Sequence, residues 1–144
     1  MRIPALGFAI FVLTGVSVGA QTAATNPLEN SRTFLYEQIK PRTNANGSES
    51  RSFFTGTLET GESLSVHESV QPAGTTPPPL HKILHSELIV IQAGTVEYHH
   101  DGVVERAGTG SILYVKIGTE HFVANVGDGP AKYAVIQIGG DTKK

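Results

Sequence analysis

Residues 110–125 read G-S-I-L-Y-V-K-I-G-T-E-H-F-V-A-N. The stretch holds an apolar run, Ile112 to Val115, and the start of a second, His121 to Val126. Each has the length of a strand, and neither shows the three-and-four spacing of a helix face. Gly118 stands between Lys116 and His121, where a residue free to take positive φ permits a tight turn that aims His121 inward.

Working outward, the same grammar repeats. Thr95 to His100 alternates, and Asp101-Gly102 leads into Val103-Val104, a two-residue hairpin signal. Leu88 to Ile91 is a continuous apolar run, and Tyr133 to Ile138 closes the series. Leu64, Val66 and Val70 alternate with Ser63, Ser65, His67 and Ser69, so the apolar set is expected to face the core and the serine set the solvent. Gly94, Gly102, Gly110, Gly118 and Gly127 punctuate the run at short, even intervals. Many short strands so spaced predict an all-β sandwich or barrel, a fold class that holds ligands in its mouth.

Composition narrows the function. The chain has 144 residues, a formal charge of −2 and no Lys/Arg cluster, which argues against nucleic-acid binding. It has no cysteine, so disulfide frameworks, thiolate metal sites and thiol catalysis are excluded. A metal would have to be held by His, carboxylates or backbone oxygen. No nucleophile–base pair or phosphate-binding loop is evident.

Two stretches resemble the motifs of the cupin superfamily. Gly110-x5-Lys116-x-Gly118-x2-His121-x3-Asn125 matches the second motif except at Lys116, where the family has proline. Gly74-x6-His81-x-Ile83-x3-Glu87-x6-Gly94 resembles the first, with one extra residue after Gly74 and Ile83 in place of the second histidine. The resemblance covers about residues 60–140 and implies a single jelly-roll β-barrel, often a homodimer. It further implies a divalent metal held by His and Glu, and a small-molecule substrate or ligand. His81, Glu87 and His121 match ligand positions, whereas Ile83 cannot be a ligand.

His85 complicates the set. In an extended strand His81, Ile83, His85 and Glu87 share a face, unless a turn near Leu84 to Ser86 breaks the parity. Two sets therefore stand open: His81, Glu87 and His121 with or without His85, or His85, Glu87 and His121. Either offers imidazoles and a carboxylate with positions free for substrate, and Fe, Mn, Zn, Ni or Cu would accept it. The family's chemistry makes a metal-dependent dioxygenase, isomerase or lyase one reading. The alternative is a metal-free, non-catalytic cupin in which the same groups bind an acidic or polyhydroxy ligand. A third is an interaction domain whose interior is filled by side chains. His67 is expected at the surface, and His99 and His100 in solvent beside their hairpin. Tyr98, Tyr114, Phe122 and Tyr133 are expected in the core or barrel lining. Asn125 and Gly127 to Pro130 are expected to close a turn.

The N-terminal third differs. Residues 1–20 carry Arg2, an apolar run from Ala5 to Leu13, and Val18 and Ala20 before Gln21. This is the form of a secretory signal peptide cleaved near Ala20, predicting a secreted or periplasmic protein free of the membrane after cleavage. Residues 21–51 read as a linker and N-terminal arm in which Phe34, Leu35, Tyr36 and Ile39 form one strand or a short helix against the domain. Residues 52–140 form the barrel, and 141–144 a C-terminal tail.

Overall fold

The computed structural model describes residues 25–142. The signal-peptide expectation therefore lies outside the described residues. A single 3-10 turn, Tyr36–Gln38, precedes ten strands. They are β1 (Arg42–Thr43), β2 (Glu49–Thr57), β3 (Ser63–Gln71), β4 (His81–Lys82) and β5 (Ser86–Ala93), then β6 (Thr95–His100), β7 (Val103–Gly108), β8 (Ile112–Val115), β9 (Glu120–Asn125) and β10 (Ala131–Ile138). A second 3-10 turn, Gly140–Thr142, ends the described chain. The first regular strand of the large sheet begins at Glu49, three residues before the change of character read at Ser52.

The strands form two antiparallel sheets, one in the order β1-β2-β3-β10-β5-β8 and one in the order β4-β9-β6-β7. This is the expected jelly roll. Chain neighbours such as β4 and β5 lie in different sheets, and β3 pairs with the distant β10 over eight residues. The β6–β7 hairpin turns at Asp101 (φ 47°) and Gly102 (φ 79°), two consecutive left-handed residues as a tight turn between twisted strands requires. Gly118 takes φ 87°, and its N–H donates to the Ile83 carbonyl at 2.9 Å, tying the β8–β9 turn to the end of β4.

The core lies between the sheets and centres on Ile91, Val96 and Val115, each essentially fully buried. Each such side chain contributes roughly 1.5–3 kcal/mol by leaving water. Tyr98 and Tyr133 are buried as expected. Tyr114 is not: it is 60% exposed on the outer face of the edge strand β8, while its backbone carbonyl accepts from the Tyr98 hydroxyl. Phe122 also points outward and stacks on His99 at 4.2 Å between ring centroids.

Strand β3 alternates as its sequence requires, but in the opposite phase. Ser65, His67 and Ser69 pair with Gln137, Val135 and Tyr133 of β10, and so share the inner face with buried Tyr133 and Val135. Leu64, Val66 and Val70 lie on the outer face, with Phe54 of β2 opposite Val66. That face is apolar because the N-terminal arm covers it. A bulge between Ser52 and Phe54 brings both phenylalanines of β2 to the arm, Phe54 against Phe34 at 4.4 Å and Phe53 against Tyr36 at 6.4 Å. Asn26 secures the start of the described arm by donating to the Thr57 carbonyl at 2.7 Å. The segment 34–39 is thus a 3-10 turn on the domain's flank, with no strand.

Candidate functional site

The inner face of the small sheet carries a row of imidazoles. His81 of β4 pairs directly with His121 of β9, which pairs with His100 of β6. Directly opposed residues of antiparallel strands project from the same face, so the three rings stand side by side. The His81 and His121 centroids are 4.7 Å apart, and Tyr98 meets His121 edge-on at 6.1 Å. His100 stacks on Tyr98 at 4.2 Å and reaches Glu105 through Nε2 at 3.0 Å. His99 and His100 are therefore both half-buried and partnered, where solvent exposure was expected.

Across the interior, the large sheet supplies Glu87 from β5, Gln137 from β10 and His67 from β3. The register places Gln137 opposite Glu87 and Val135 opposite His67. Together the two sheets enclose a cavity of about 270 Å³, lined by His67, His81, Glu87, His121, Tyr133 and Gln137 with apolar Ile89, Val123 and Val135.

Glu87 is the hub. It is buried, and its Oε1 meets His85 Nε2 at 2.8 Å and accepts from Gln137 Nε2 at 3.0 Å. Its Oε2 lies 3.4 Å from His121 Nε2. Burial alone would raise its pKa, but hydrogen bonds from His121, Gln137 and His85 prevail and hold it at about 2. His85 is buried too, and its Nδ1 meets Asp141 at 2.5 Å. Burial disfavours its charge, yet the bonds to Asp141 and Glu87 outweigh that and raise its pKa. The result is a continuous chain, Asp141–His85–Glu87–His121, from the surface into the cavity.

The chain between His81 and Glu87 is not one strand. β4 ends at Lys82, Leu84 and His85 form a bend, and β5 begins at Ser86 in the other sheet. The alternation nevertheless survives, since Ile83, His85 and Glu87 are all buried while Leu84 is exposed. His81 is the outlier: it is exposed, its Nδ1 lies 3.2 Å from the Pro79 carbonyl, and Pro78 joins it at the cavity rim. Pro77 to Pro79 thereby fixes the approach to His81.

Three contributors escaped the sequence reading. His67 faces the cavity, not solvent, and burial lowers its pKa, with the Glu87 charge opposing and the His85 charge reinforcing. Its company of serines marked the inner face, because this interior is polar. Gln137 could have been found from its parity with Tyr133 and Val135 in β10. Asp141 carries no such mark. It reaches His85 only because the chain reverses at Gly139 and Gly140, both at positive φ, so residues 141 and 142 are no free tail. A Cβ on Gly140 would sit 1.8 Å from the Leu84 carbonyl oxygen, so only glycine permits that approach. Asn125 does close its turn, accepting from Gly127 N–H at 3.0 Å and donating to the Gly129 and Gln71 carbonyls at 2.9 Å.

A metal centre would need three converging ligands. His81, Glu87 and His121 have suitable chemistry, and His121 Nδ1 is a buried nitrogen without a hydrogen-bond partner. Both Glu87 oxygens, however, already face protein donors, and His85 is held between two carboxylates. Among the described residues no three His, Asp or Glu side chains are placed to hold a metal ion. In this arrangement the donor set does not fit a metal.

The chain belongs to the cupin domain family, whose model matches residues 66–137, half of its length. Cupins often bind metals and small molecules. Among solved structures, an RmlC-like cupin from Shewanella frigidimarina is 17% identical, with a TM-score of 0.63 over 77% of this chain and 94% of that one. KdgF from Halomonas sp. is 12% identical, with a TM-score of 0.64 over 75% and 94% of the respective chains. A predicted oxalate decarboxylase from Thermotoga maritima is 19% identical, with a TM-score of 0.61 over 74% and 98%. At these identities the likeness is one of fold. No curated protein matches the chain.

Proposed function

With cupin membership as premise, we propose that this chain is an exported binding protein for a small organic acid, seated in the barrel cavity. One observation carries the reading. His67, His81 and His121 line a space of about 270 Å³ whose only carboxylate, Glu87, is ionised but already engaged by hydrogen bonds from His121, Gln137 and His85. Three imidazoles facing a satisfied carboxylate leave capacity for an incoming anion, and Ile89, Val123 and Val135 would cover its apolar part. Imidazolium donors to a carboxylate make short, charge-assisted bonds. His67 is held neutral by burial in the free protein, so ligand binding should draw in a proton. Calorimetric titration with acetate, oxalate, malonate and benzoate, in two buffers of different ionisation enthalpy and with chelator present, tests this. The expected result is saturable binding with proton uptake, lost in His121→Ala. Absence of binding by all four acids overturns the reading.

A second reading is favoured by the approach of His121 Nε2 to Glu87 Oε2 at 3.4 Å, with the His81 ring 4.7 Å from that of His121. Here His81, Glu87 and His121 hold a divalent metal after Glu87 exchanges its protein partners for it, and the chain is a metal-dependent enzyme. Fe, Mn, Zn, Ni and Cu titrations decide it. Binding weaker than roughly 0.1 mM, about −5.5 kcal/mol, removes this reading.

Export rests on residues 1–20 and predicts a mature chain beginning near Gln21, to be read by N-terminal sequencing. We also infer a homodimer. Val103, Val104, Ile112 and Tyr114, all at least half exposed on the edge strands β7 and β8, are what it would cover. A monomer by light scattering at high micromolar concentration refutes that assembly.

A further inference from the structure

A second space opens to solvent beside the first, with Ser52 and Thr55 exposed at its wall. It measures about 340 Å³, shares His67 and Gln137 with the first, and is otherwise lined by different residues. Ser52, Thr55 and Ser65 form a hydroxyl strip on the inner face of β2 and β3, where Ser52 pairs with His67 and Thr55 with Ser65. His85, Asp141 and Thr142 close the other side through the C-terminal turn. No aliphatic or aromatic hydrocarbon side chain lines it, and neither does any lysine or arginine.

That lining selects a ligand by elimination. An apolar molecule would find nothing to cover it. A full anion would find no free cation, because the charge of His85 is taken up by Asp141 and Glu87 at 2.5 and 2.8 Å. A cation would find only a carboxylate already paired. Several internal bonds are also closed: Thr55 and Ser65 bond each other at 3.0 Å, and Thr142 donates to the Gly139 carbonyl at 2.9 Å. The groups left to meet a ligand are the Ser52 hydroxyl, the Gln137 carbonyl oxygen, the second Asp141 oxygen and the His67 imidazole. This is a mixture of strong acceptors with one hydroxyl and one ring N–H, matched to a molecule that is itself rich in hydroxyl donors and acceptors. The Asp141 side chain is 52% exposed and marks the entrance.

We propose that this second space binds a neutral polyhydroxy compound of monosaccharide size, with Asp141, Ser52, Gln137 and His67 as its hydrogen-bonding partners. The site adjoins the organic-acid cavity and shares Gln137 and His67 with it, but the proposal does not rest on that reading. Amide and side-chain NMR of the isotope-labelled mature chain tests it, with D-glucose, D-galactose, D-xylose and myo-inositol as probes and inorganic phosphate and methylamine as controls. At least one polyol should give saturable shifts at Ser52, Ser65, His67 and Gln137, while neither control does. Asp141→Asn should weaken binding roughly tenfold by removing a charged acceptor. Ser52→Leu, on an exposed position that the fold tolerates, should abolish it by filling the space. The proposal is overturned by no saturable shift up to about 100 mM of any polyol, beyond the weakest useful affinity. Shifts produced by phosphate alone overturn it equally. So do shifts that centre on Ile89 and Tyr133 of the first cavity and persist in Ser52→Leu.

Discussion

Glu68 and Glu87 are equally deep in the protein, 3% and 5% exposed, and lie on opposite faces of the same sheet. Their partners differ in kind. Glu68, on the outer face, meets Lys132 at 2.9 Å, Arg51 at 3.8 Å and the Tyr36 hydroxyl at 3.1 Å. Lysine and arginine keep their charge throughout the physiological range, and the lysine's pKa is raised further by its bond to Glu68. Glu87, on the inner face, meets two imidazoles and an amide. Imidazoles gain and lose protons near neutrality. The first carboxylate is therefore a fixed clasp for the arm, whereas the second sits in a site whose charge a ligand can reset. Burial alone does not distinguish a structural carboxylate from a functional one; the titration range of its partners does.

Removing each carboxylate should separate these roles. Glu68→Ala leaves Lys132 and Arg51 beside an emptied pocket, and breaking a buried pair costs roughly 3–5 kcal/mol. Because Lys132 is 34% exposed, the lower end is expected, about 3 kcal/mol in urea unfolding. Organic-acid binding should be unchanged. Glu87→Gln is nearly isosteric and keeps one acceptor, so the expected loss is smaller, about 2 kcal/mol for a charged hydrogen bond. It should also lower the pKa of His85, read by NMR titration, and change organic-acid binding, because the cavity loses its one carboxylate charge. A variant pair with the two effects exchanged would break the comparison.

The pH dependence of stability sharpens it. Glu87 has its pKa lowered from 4.5 to about 2, so its contribution is complete above about pH 4.5 and is lost as pH falls toward 2. His85 has its pKa raised, so its contribution is present below about pH 6.5 and is lost as pH rises through the raised value. His67 has its pKa lowered, and it therefore costs stability as pH falls below 6.5. The stability gap between wild type and Glu87→Gln should be widest between about pH 4.5 and 6.5 and should narrow on both sides. Urea midpoints at pH 3, 5.5 and 8.5 would show it. An equal gap at all three would mean that the Glu87–His85 pair carries no protonation-dependent energy.

The sequence was most legible where strand chemistry is local. Thr95–His100 and Ile112–Val115 match β6 and β8 residue for residue, because alternation and a left-handed hairpin turn are written in consecutive residues. It misled where a face's polarity depends on what covers it. In β3 the serines point inward to a polar, ligand-sized interior and the aliphatics outward beneath the arm, so the pattern was right and its phase reversed. His81, His85, Glu87 and His121 were all visible as candidates, and the structure gathers them around one cavity and one hydrogen-bonded chain. Their division of labour was not visible. It depends on Asp141, 54 residues after Glu87, which captures His85 through a turn that only Gly140 allows.

The smallest effect lies at the edge of the outer clasp. Tyr36 is 42% exposed, and its ring lies 4.6 Å from both the Arg51 guanidinium carbon and the Lys132 ammonium. Its hydroxyl donates to Glu68 at 3.1 Å. Tyr36→Phe keeps a ring for both cations and deletes only the hydroxyl. A hydrogen bond to a charged acceptor is worth more than a neutral one, but a half-exposed site lets water replace the lost donor. The expected loss is therefore about 0.5–1 kcal/mol. Tyr36→Ala removes the ring as well, adding two exposed cation–π contacts at roughly 0.5 kcal/mol each. Neither change should move the His85 titration, since the β-sheet separates the two carboxylates and neither variant alters a group that Glu87 touches. If Tyr36→Phe shifted the His85 pKa, the two faces would be coupled through the sheet, and the division between clasp and site would fail.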